Sequence, residues 1–165
     1  MQTRFLIITG MSGAGKTQVV RTLEDLKYFC IDNLPAALIP KFAELCRQTS
    51  ESNVALVVDV RGGQFFDKLL QVLDEIKASG QKYELLFLDA DDATLVRRYK
   101  ETRRRHPLGD SETLLDNLAQ ERELLAPLLE KSTYIINTTD LNSSELKNRV
   151  RELFSTDNER ERMGI

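Results

Sequence analysis

Five short apolar runs alternate along the chain with segments whose apolar residues recur every three or four positions. Such runs are typical of strands buried on both faces of a parallel sheet, and the other spacing is typical of helices. The predicted strands are residues 5–8, 29–31, 54–60, 83–88 and 134–136. The predicted helices are residues 16–26, 36–47, 64–78, 93–102, 111–130 and 143–154. This alternation predicts an α/β fold with a parallel five-stranded sheet flanked by helices.

Pro127 lies inside the fifth predicted helix. Proline has no backbone N–H and its ring collides with the preceding turn, so we expect it to bend or interrupt that helix near its end. After the last predicted helix, residues 155–165 are charged and poor in apolar side chains. We therefore expect a single domain over residues 1–154, followed by a charged tail.

A glycine-rich segment joins the first predicted strand to the first predicted helix. It reads GMSGAGKT and fits the phosphate-loop pattern GxxxxGKT. Its glycines can adopt positive φ angles and direct successive backbone N–H groups at one phosphate, while the following helix adds its positive N-terminal end. The predicted nucleotide-binding residues of this loop are Gly10, Met11, Ser12, Gly13, Ala14, Gly15, Lys16 and Thr17.

The last two residues of the loop carry its chemistry. Lys16 is expected to reach the β- and γ-phosphate oxygens, which makes it a candidate catalytic residue as well as a binding residue. The Thr17 hydroxyl is expected to bind the Mg²⁺ that bridges those phosphates. The alternative is a glycine-rich turn that arose by chance. The strand before the loop and the helix after it favour a site for a nucleoside triphosphate with magnesium.

Two acidic residues at strand ends compete for the role of a carboxylate that orients magnesium. Asp59 ends the run VALVVD, and Asp89 ends the run ELLFLD. We favour Asp59, because we expect its strand beside the phosphate-loop strand and because the adjoining Arg61, Gly62 and Gly63 permit a close backbone approach. For Asp89 and the two aspartates after it, capping of the next helix is the better interpretation.

Residues 97–106 read RRYKETRRRH and form a basic segment. Arginine guanidinium groups suit phosphate oxygens, which leaves three interpretations. They are a lid whose arginines act on the triphosphate, a basic patch for an RNA backbone, and an ordinary solvated helix face. We favour the lid, with Arg103 as a candidate catalytic residue, and we regard His106 as a helix-end residue.

Asp32 follows the second predicted strand, in the turn sequence DNLP. A carboxylate here can face a substrate or the γ-phosphate region. The turn also suits the entrance of the next helix, because Asn33 and Pro35 favour helix starts, and both interpretations stay open. Asp32 is the candidate for a base that takes the proton of a substrate hydroxyl.

The composition is that of a soluble globular domain and narrows the range of partners. Lys and Arg number 23 against 26 Asp and Glu, and the net charge of −3 argues against a domain that coats nucleic acid over its whole surface. The two cysteines form no CxxC motif, and a zinc site is not indicated with a single histidine. No apolar run has the length of a membrane span and no signal peptide is evident, so we expect a cytoplasmic protein without a membrane partner.

Together these motifs resemble the RapZ/YvcJ family of P-loop nucleotide-binding proteins, known as RNase adapter proteins. The matching strings are IITGMSGAGKT, the IDNLP turn, VVDVRGG, LFLDADDATLVRRYKETRRRHPL and INTTDL. They run through nearly the whole chain. DNLP, DVRG and ETRRRHPL are far more specific than the phosphate loop.

The resemblance implies binding of ATP and GTP with modest hydrolysis, at the phosphate loop and at a second segment formed by residues 59–62. A weaker resemblance to adenylate-kinase-like enzymes implies a lid role for Arg98 and Arg103 and a base-contacting role for residues 137–139. Members of the RapZ/YvcJ family continue into a C-terminal domain that carries RNA binding and recognition of an amino-sugar phosphate. The expectation is therefore that RNA and ribonuclease partners act through a domain absent from this chain, and that the full-length protein is a homo-oligomer.

Two functions remain open at this point. The first is a regulatory nucleotide-binding module of an RNase adapter that controls small-RNA processing in amino-sugar metabolism. The second is a small-molecule kinase of the adenylate-kinase type, which needs an acceptor site with a base. The sequence favours the module.

Overall fold

The structure is a computed structural model that describes residues 4–11, 13–32, 34–49, 53–58, 63–80, 82–102 and 111–155. Its strands are β1 (Phe5–Gly10), β2 (Phe29–Asp32), β3 (Val54–Val57), β4 (Glu84–Asp89) and β5 (Tyr134–Asn137). Its helices are α1 (Lys16–Asp25), α2 (Ile39–Thr49), α3 (Gly63–Ala78), α4 (Asp92–Thr102), α5 (Ser111–Glu130) and α6 (Ser143–Phe154), and a 3₁₀ turn (Ala36–Leu38) precedes α2. Each predicted strand and helix is present.

The strands form one parallel sheet in the order β2-β3-β1-β4-β5. This confirms the predicted five-stranded parallel sheet. The phosphate-loop strand β1 is central, and every residue of it is buried. Because all strands run the same way, their last residues meet at one side of the sheet, which we call the carboxyl edge. Their first residues meet at the opposite side, the amino edge.

The helices bury their apolar faces on the sheet and on each other. Helix α1 packs against α6, and α3 packs against α2 and α5. From α1, Val19 and Leu23 are fully buried, and from α6, Val150 and Phe154 are buried beside them. Each such side chain contributes on the order of 1.5–3 kcal/mol through its removal from water. This packing holds the loop between β1 and α1 at the carboxyl edge.

Two local expectations differ from the structure. Strand β3 ends at Val57, whereas the prediction ran to residue 60, and the last two residues of that prediction lie outside the described residues. The Val58 N–H still donates to the Ile8 carbonyl at 2.9 Å. Helix α5 runs through Pro127 without interruption. Leu125 and Leu128 on either side of the proline are buried, and their packing outweighs the local cost of one missing N–H.

A polar cluster closes the amino edge. The guanidinium of Arg4 donates to the two carboxylate oxygens of Glu84 at 2.7 Å each, and the Tyr134 hydroxyl donates to Glu84 at 2.7 Å. The Arg4 guanidinium also lies 5.0 Å from the ring centre of Phe154. Burial acts to raise the pKa of Glu84, but the hydrogen bonds from Arg4 and Tyr134 outweigh it and hold that pKa below its ordinary value. We call these four residues the amino-edge cluster.

Some parts of the chain bear no structural description. Ser12, Asn33, residues 59–62, residues 103–110 and residues 156–165 lie outside the described residues, so the predicted roles of Asp59 and Arg103 and the predicted tail stay predictions. Among the helices that the structure describes, none is both long and apolar enough to cross a lipid bilayer.

Candidate functional site

The glycines of the phosphate loop have the backbone geometry that the sequence predicts. The φ angles are +146° at Gly10, +85° at Gly13 and +113° at Gly15. A Cβ on Gly10 would also collide with the backbone of Leu88, whose amide nitrogen would lie 2.7 Å from it. Residues with a side chain rarely adopt such φ angles, so this path of the chain depends on glycine.

Hydrogen bonds and side-chain packing anchor the phosphate loop to β4 and to the core. The Met11 N–H donates to the Leu88 carbonyl at 3.0 Å, and the Ala14 N–H donates to the Met11 carbonyl at 3.1 Å. The side chains of Met11 and Ala14 are fully buried. Of these two predicted nucleotide-binding residues, only the backbone can therefore face a ligand.

Helix α1 begins at the end of the loop, with Gly15 as its N-cap. No side chain caps this helix, and its first turn holds no acidic residue. The cap residue therefore accepts no N–H of the first turn with its side chain, and no carboxylate in the first turn balances the positive end of the helix dipole. Such an end favours an anion, by about 0.3–1 kcal/mol when exposed and up to about 2 kcal/mol when partly buried.

The Lys16 side chain folds back over the loop. Its Nζ donates to the Gly10 carbonyl at 2.9 Å and lies 3.4 Å from the Met11 carbonyl. These carbonyl contacts hold the ammonium at the phosphate loop. Thr17, the next residue, is exposed, and its hydroxyl is an oxygen ligand of the type that magnesium prefers.

Arg98 connects three parts of the carboxyl edge. From α4, its guanidinium donates to the Gly13 carbonyl at 3.2 Å, to the Thr138 hydroxyl at 2.9 Å and to the Thr138 carbonyl at 2.5 Å. The buried Thr138 hydroxyl donates in turn to the Ala14 carbonyl at 2.8 Å. In the described structure Arg98 and Thr138 therefore brace the phosphate loop. This role of Thr138 was not predicted from the sequence, because Arg98 and Thr138 lie 40 residues apart in the chain.

The aspartates at the end of β4 and the start of α4 have two different roles. Asp91 accepts the Thr94 N–H at 2.8 Å, so it caps α4 as predicted. Hydrogen bonds from the side chain of Thr94 and from its backbone lower the pKa of Asp91. Asp89 and Asp92 instead each form an ion pair of 2.8 Å with Arg122 from α5, so the capping interpretation is wrong for these two. Burial lowers the pKa of Arg122, but the bonds to Asp92 and Asp89 outweigh it and raise that pKa above its ordinary value.

The sheet order bears on the choice between Asp59 and Asp89. Strand β3 lies beside β1, which satisfies the condition for Asp59. Strand β4 lies on the other side of β1, so the topology alone does not separate the two residues. The Asp89 carboxylate is paired with Arg122 and is thus engaged within the protein, while Asp59 lies outside the described residues.

Asp32 lines a cavity at the carboxyl edge. The 3₁₀ turn that follows has Pro35 as its N-cap and no side-chain cap, so Asp32 does not cap it. The cavity has a volume of about 390 Å³. Its lining comprises Lys16, Thr17, Val20, Glu24, Cys30, Ile31, Asp32 and Val57. The structure thus brings Asp32 together with the last two residues of the phosphate loop. Within the described part of the chain, no three His, Cys, Asp or Glu side chains cluster as a metal site.

The overall fold is that of P-loop kinases. A shikimate kinase of Bacteroides thetaiotaomicron superposes with a TM-score of 0.62 at 21% identity, over 100% of both chains. A gluconokinase of Sinorhizobium meliloti gives a TM-score of 0.53 at 19% identity, over 89% of both chains. At such identities the likeness concerns the fold alone.

Sequence comparison identifies the family. A nucleotide-binding protein of Clostridium botulinum is 50% identical over 153 residues, which are 92% of this chain and 52% of that protein. A nucleotide-binding protein of Desulforudis audaxviator is 50% identical over 165 residues, which are 99% of this chain and 56% of that protein. The chain spans about half the length of these curated relatives. Residues 3–158 match the RapZ-like N-terminal domain, and the chain belongs to that family.

Proposed function

We propose that this chain binds a nucleoside triphosphate with magnesium at the phosphate loop and hydrolyses it slowly. One observation carries the proposal: the Lys16 ammonium is held 2.9 Å from the Gly10 carbonyl, at a glycine-rich loop that opens onto the uncapped start of α1. A phosphate at this position would accept hydrogen bonds from backbone N–H groups, lie at the positive end of the helix dipole and contact the Lys16 ammonium. The two relatives of Clostridium botulinum and Desulforudis audaxviator are nucleotide-binding proteins, which supports the proposal.

The residues divide the work as follows. Lys16 exchanges the loop carbonyls for β- and γ-phosphate oxygens, and the backbone of residues 10–15 encloses the phosphates. Thr17 and Asp59 would hold the magnesium ion, which when bound offsets phosphate charge. Val60, Arg61 and Gly62 contribute further contacts to the nucleotide. Arg103 acts on the charge of the γ-phosphate, and ATP and GTP are both ligands in this proposal.

We further propose a wider role as the nucleotide-responsive part of an RNase adapter. The motifs DNLP, DVRG and ETRRRHPL and the match to the RapZ-like N-terminal domain support it. In this role the bound nucleotide is read by the rest of a longer, cytoplasmic and homo-oligomeric protein, which contacts RNA and a ribonuclease in the control of amino-sugar metabolism. The chain's own contribution is the nucleotide site.

Lys16→Ala tests the phosphate site. The variant loses one charge-assisted contact to the phosphates, so its Kd for ATP and for GTP should rise about 100-fold or more, while its thermal stability stays close to that of the wild type. Titration calorimetry with magnesium present measures the effect. Lys77→Ala removes an exposed lysine from the last turn of α3 and serves as the matched control. Equal affinity in Lys16→Ala and Lys77→Ala would refute the proposal.

A second pair of variants tests the magnesium site. Asp59→Asn removes a charge directed at the metal, so it should weaken nucleotide binding about tenfold with magnesium and much less in EDTA. Asp89→Asn should show no such dependence on magnesium, because Asp89 is paired with Arg122. The reverse pattern, with magnesium dependence lost only in Asp89→Asn, would transfer the metal role to Asp89.

A further inference from the structure

Helix α1 and the strands β2 and β3 form the cavity beside the phosphate loop. Thr17, Val20 and Glu24 follow one another at helical spacing and present one face of α1. Asp32 and Val57 are paired neighbours on β2 and β3 and form the facing wall. The cavity therefore begins at the phosphate-binding residues and extends along α1, and its volume of about 390 Å³ falls in the range of small-molecule sites, roughly 300–1,000 Å³.

The lining combines an apolar floor with carboxylates. Val20, Ile31 and Val57 are apolar, and the Cys30 thiol points to the Val20 carbonyl at 3.8 Å. Burial, aided by the charge of Glu24, raises the pKa of Cys30 to about 11, so this thiol is neutral near pH 7. Cys30 is thus a lining residue and not a nucleophile.

Asp32 is the last residue of β2 and therefore lies at the carboxyl edge, as the phosphate loop does. It is exposed, and its carboxylate forms no hydrogen bond or ion pair with the residues that the structure describes. Asp32 lines the same cavity as Lys16 and Thr17. A molecule that enters this cavity can therefore contact a carboxylate and the phosphate-binding residues together.

The charges of the described lining residues favour one class of molecule. Asp32 and Glu24 are acidic, and the one basic side chain among the described lining residues is Lys16, which is directed at the phosphate loop. An anionic molecule would face both carboxylates, at a cost of about 1 kcal/mol per contact in water and about 4 kcal/mol near a protein surface. Hydroxyl groups can donate to the same carboxylates without that cost.

We propose that this cavity binds a neutral, polyhydroxylated small molecule as a phosphoryl acceptor, with Asp32 as the base. The proposal rests on the proposed function, because the bound triphosphate is the phosphoryl donor. It deepens that function by naming the second substrate. Hydrolysis is then the side reaction in which water takes the place of the acceptor.

The transfer step balances with the groups named. A hydroxyl oxygen of the acceptor forms a bond to the γ-phosphorus, and the bond between that phosphorus and the oxygen bridging to the β-phosphate breaks. The nucleoside diphosphate leaves with the bridging oxygen. The hydroxyl proton passes to the Asp32 carboxylate and then to water. The products are a phosphomonoester, a nucleoside diphosphate and one proton.

The experiment incubates the wild-type protein with magnesium and ATP, and separately with GTP, in the presence of glycerol, ribitol or the anionic analogue D-glycerate. Phosphorus NMR separates a phosphomonoester of the added compound from inorganic phosphate. The expected result is a phosphomonoester from glycerol or ribitol and none from glycerate. Asp32→Asn should lower that rate by about 100-fold or more, because general bases contribute about 10²–10⁴-fold. Its nucleotide Kd, measured by calorimetry, should match that of the wild type.

Asp25→Asn is the matched control, since Asp25 is an exposed carboxylate of α1 that does not line the cavity, and it should retain the wild-type rate. Three results would each overturn the inference: wild-type protein that binds nucleotide but yields only inorganic phosphate, equal transfer rates in Asp32→Asn and wild type, or transfer to glycerate in preference to the polyols. Wild-type protein that binds no nucleotide would overturn the proposed function itself, which the calorimetry detects independently.

Discussion

The two edges of the sheet differ in what their charged side chains contact. At the amino edge, Arg4 and Glu84 meet through two hydrogen bonds of 2.7 Å, Tyr134 adds a third, and Phe154 covers the guanidinium. At the carboxyl edge, the Lys16 ammonium donates to the Gly10 carbonyl of the phosphate loop. Lys16 and the exposed Asp32 line the same cavity there.

This difference indicates where stability and where function reside. The charged side chains of the amino-edge cluster pair with each other and contribute to folding, whereas Lys16 and Asp32 line a cavity that a ligand can enter. Variants at the amino edge should therefore alter the free energy of unfolding alone. Variants of the phosphate loop and of the cavity lining should alter nucleotide chemistry, except where they disturb the backbone itself.

The largest effect should come from the basic segment after α4. In the proposed function a triple Arg103→Ala, Arg104→Ala, Arg105→Ala variant loses the charge that stabilises the transferring phosphate, so hydrolysis should fall by up to roughly 10³-fold while nucleotide affinity falls much less. Single-turnover release of phosphate measures the rate.

Arg97→Ala is the control for that variant, because Arg97 lies on the exposed face of α4 with only a 3.9 Å contact to Glu101. The rival interpretation is an RNA-binding patch. It requires a normal rate of hydrolysis in the triple variant together with weaker RNA binding and a shallower dependence on salt. That outcome would remove the segment from the proposed nucleotide site.

The next largest effect should come from a change to the backbone of the phosphate loop. Gly10→Ala places a Cβ against the backbone of Leu88 at a φ of +146°, so it should lower the free energy of unfolding by about 3 kcal/mol and also impair nucleotide binding. Gly80→Ala has a positive φ of +86° but nothing within 4 Å of the added Cβ, and it should cost only about 1 kcal/mol. Chemical denaturation measures both, and equal losses would show that the contact with Leu88 is relieved by a small shift.

The smallest effect should appear at the amino edge. Glu84→Gln removes the charge that Arg4 and Tyr134 bind, so it should lower the free energy of unfolding by about 2 kcal/mol at neutral pH and leave nucleotide affinity unchanged. The exposed Glu123→Gln of α5 is the control and should leave stability near that of the wild type. A change in nucleotide affinity in Glu84→Gln would contradict the division between the two edges.

The effect of Glu84→Gln on the free energy of unfolding should depend on pH. Because the folded protein holds the pKa of Glu84 below its ordinary value of 4.5, the stabilisation by this carboxylate is fully present above that value. It is lost as the pH falls from about 4.5 through the lower pKa of the folded state. Denaturation curves of the wild type and of Glu84→Gln should therefore converge as the pH is lowered through this range.

Local sequence determined most of the secondary structure and the course of the phosphate loop. Strand and helix types follow from the spacing of apolar residues, and the positive φ angles at Gly10, Gly13 and Gly15 follow from the glycines of the motif. The cap at Asp91 is likewise a property of a short segment, since its partner Thr94 is three residues away. The end of β3 at Val57 did not follow from the local sequence, because strand ends depend on neighbouring strands as much as on composition.

Only the tertiary structure decided which distant charges meet. The sheet order, these charge contacts and the amino-edge cluster join residues far apart in the chain. The separation is 33 positions for Asp89 and Arg122, 85 for Arg98 and Gly13, and 130 for Arg4 and Tyr134. The position of Asp32 beside Lys16 likewise depends on β2 lying next to β3 rather than on the residues around Asp32. Apolar periodicity fixes which face of each strand and helix is buried, but many arrangements satisfy that pattern, and the packing of whole elements selects the one in which these side chains meet.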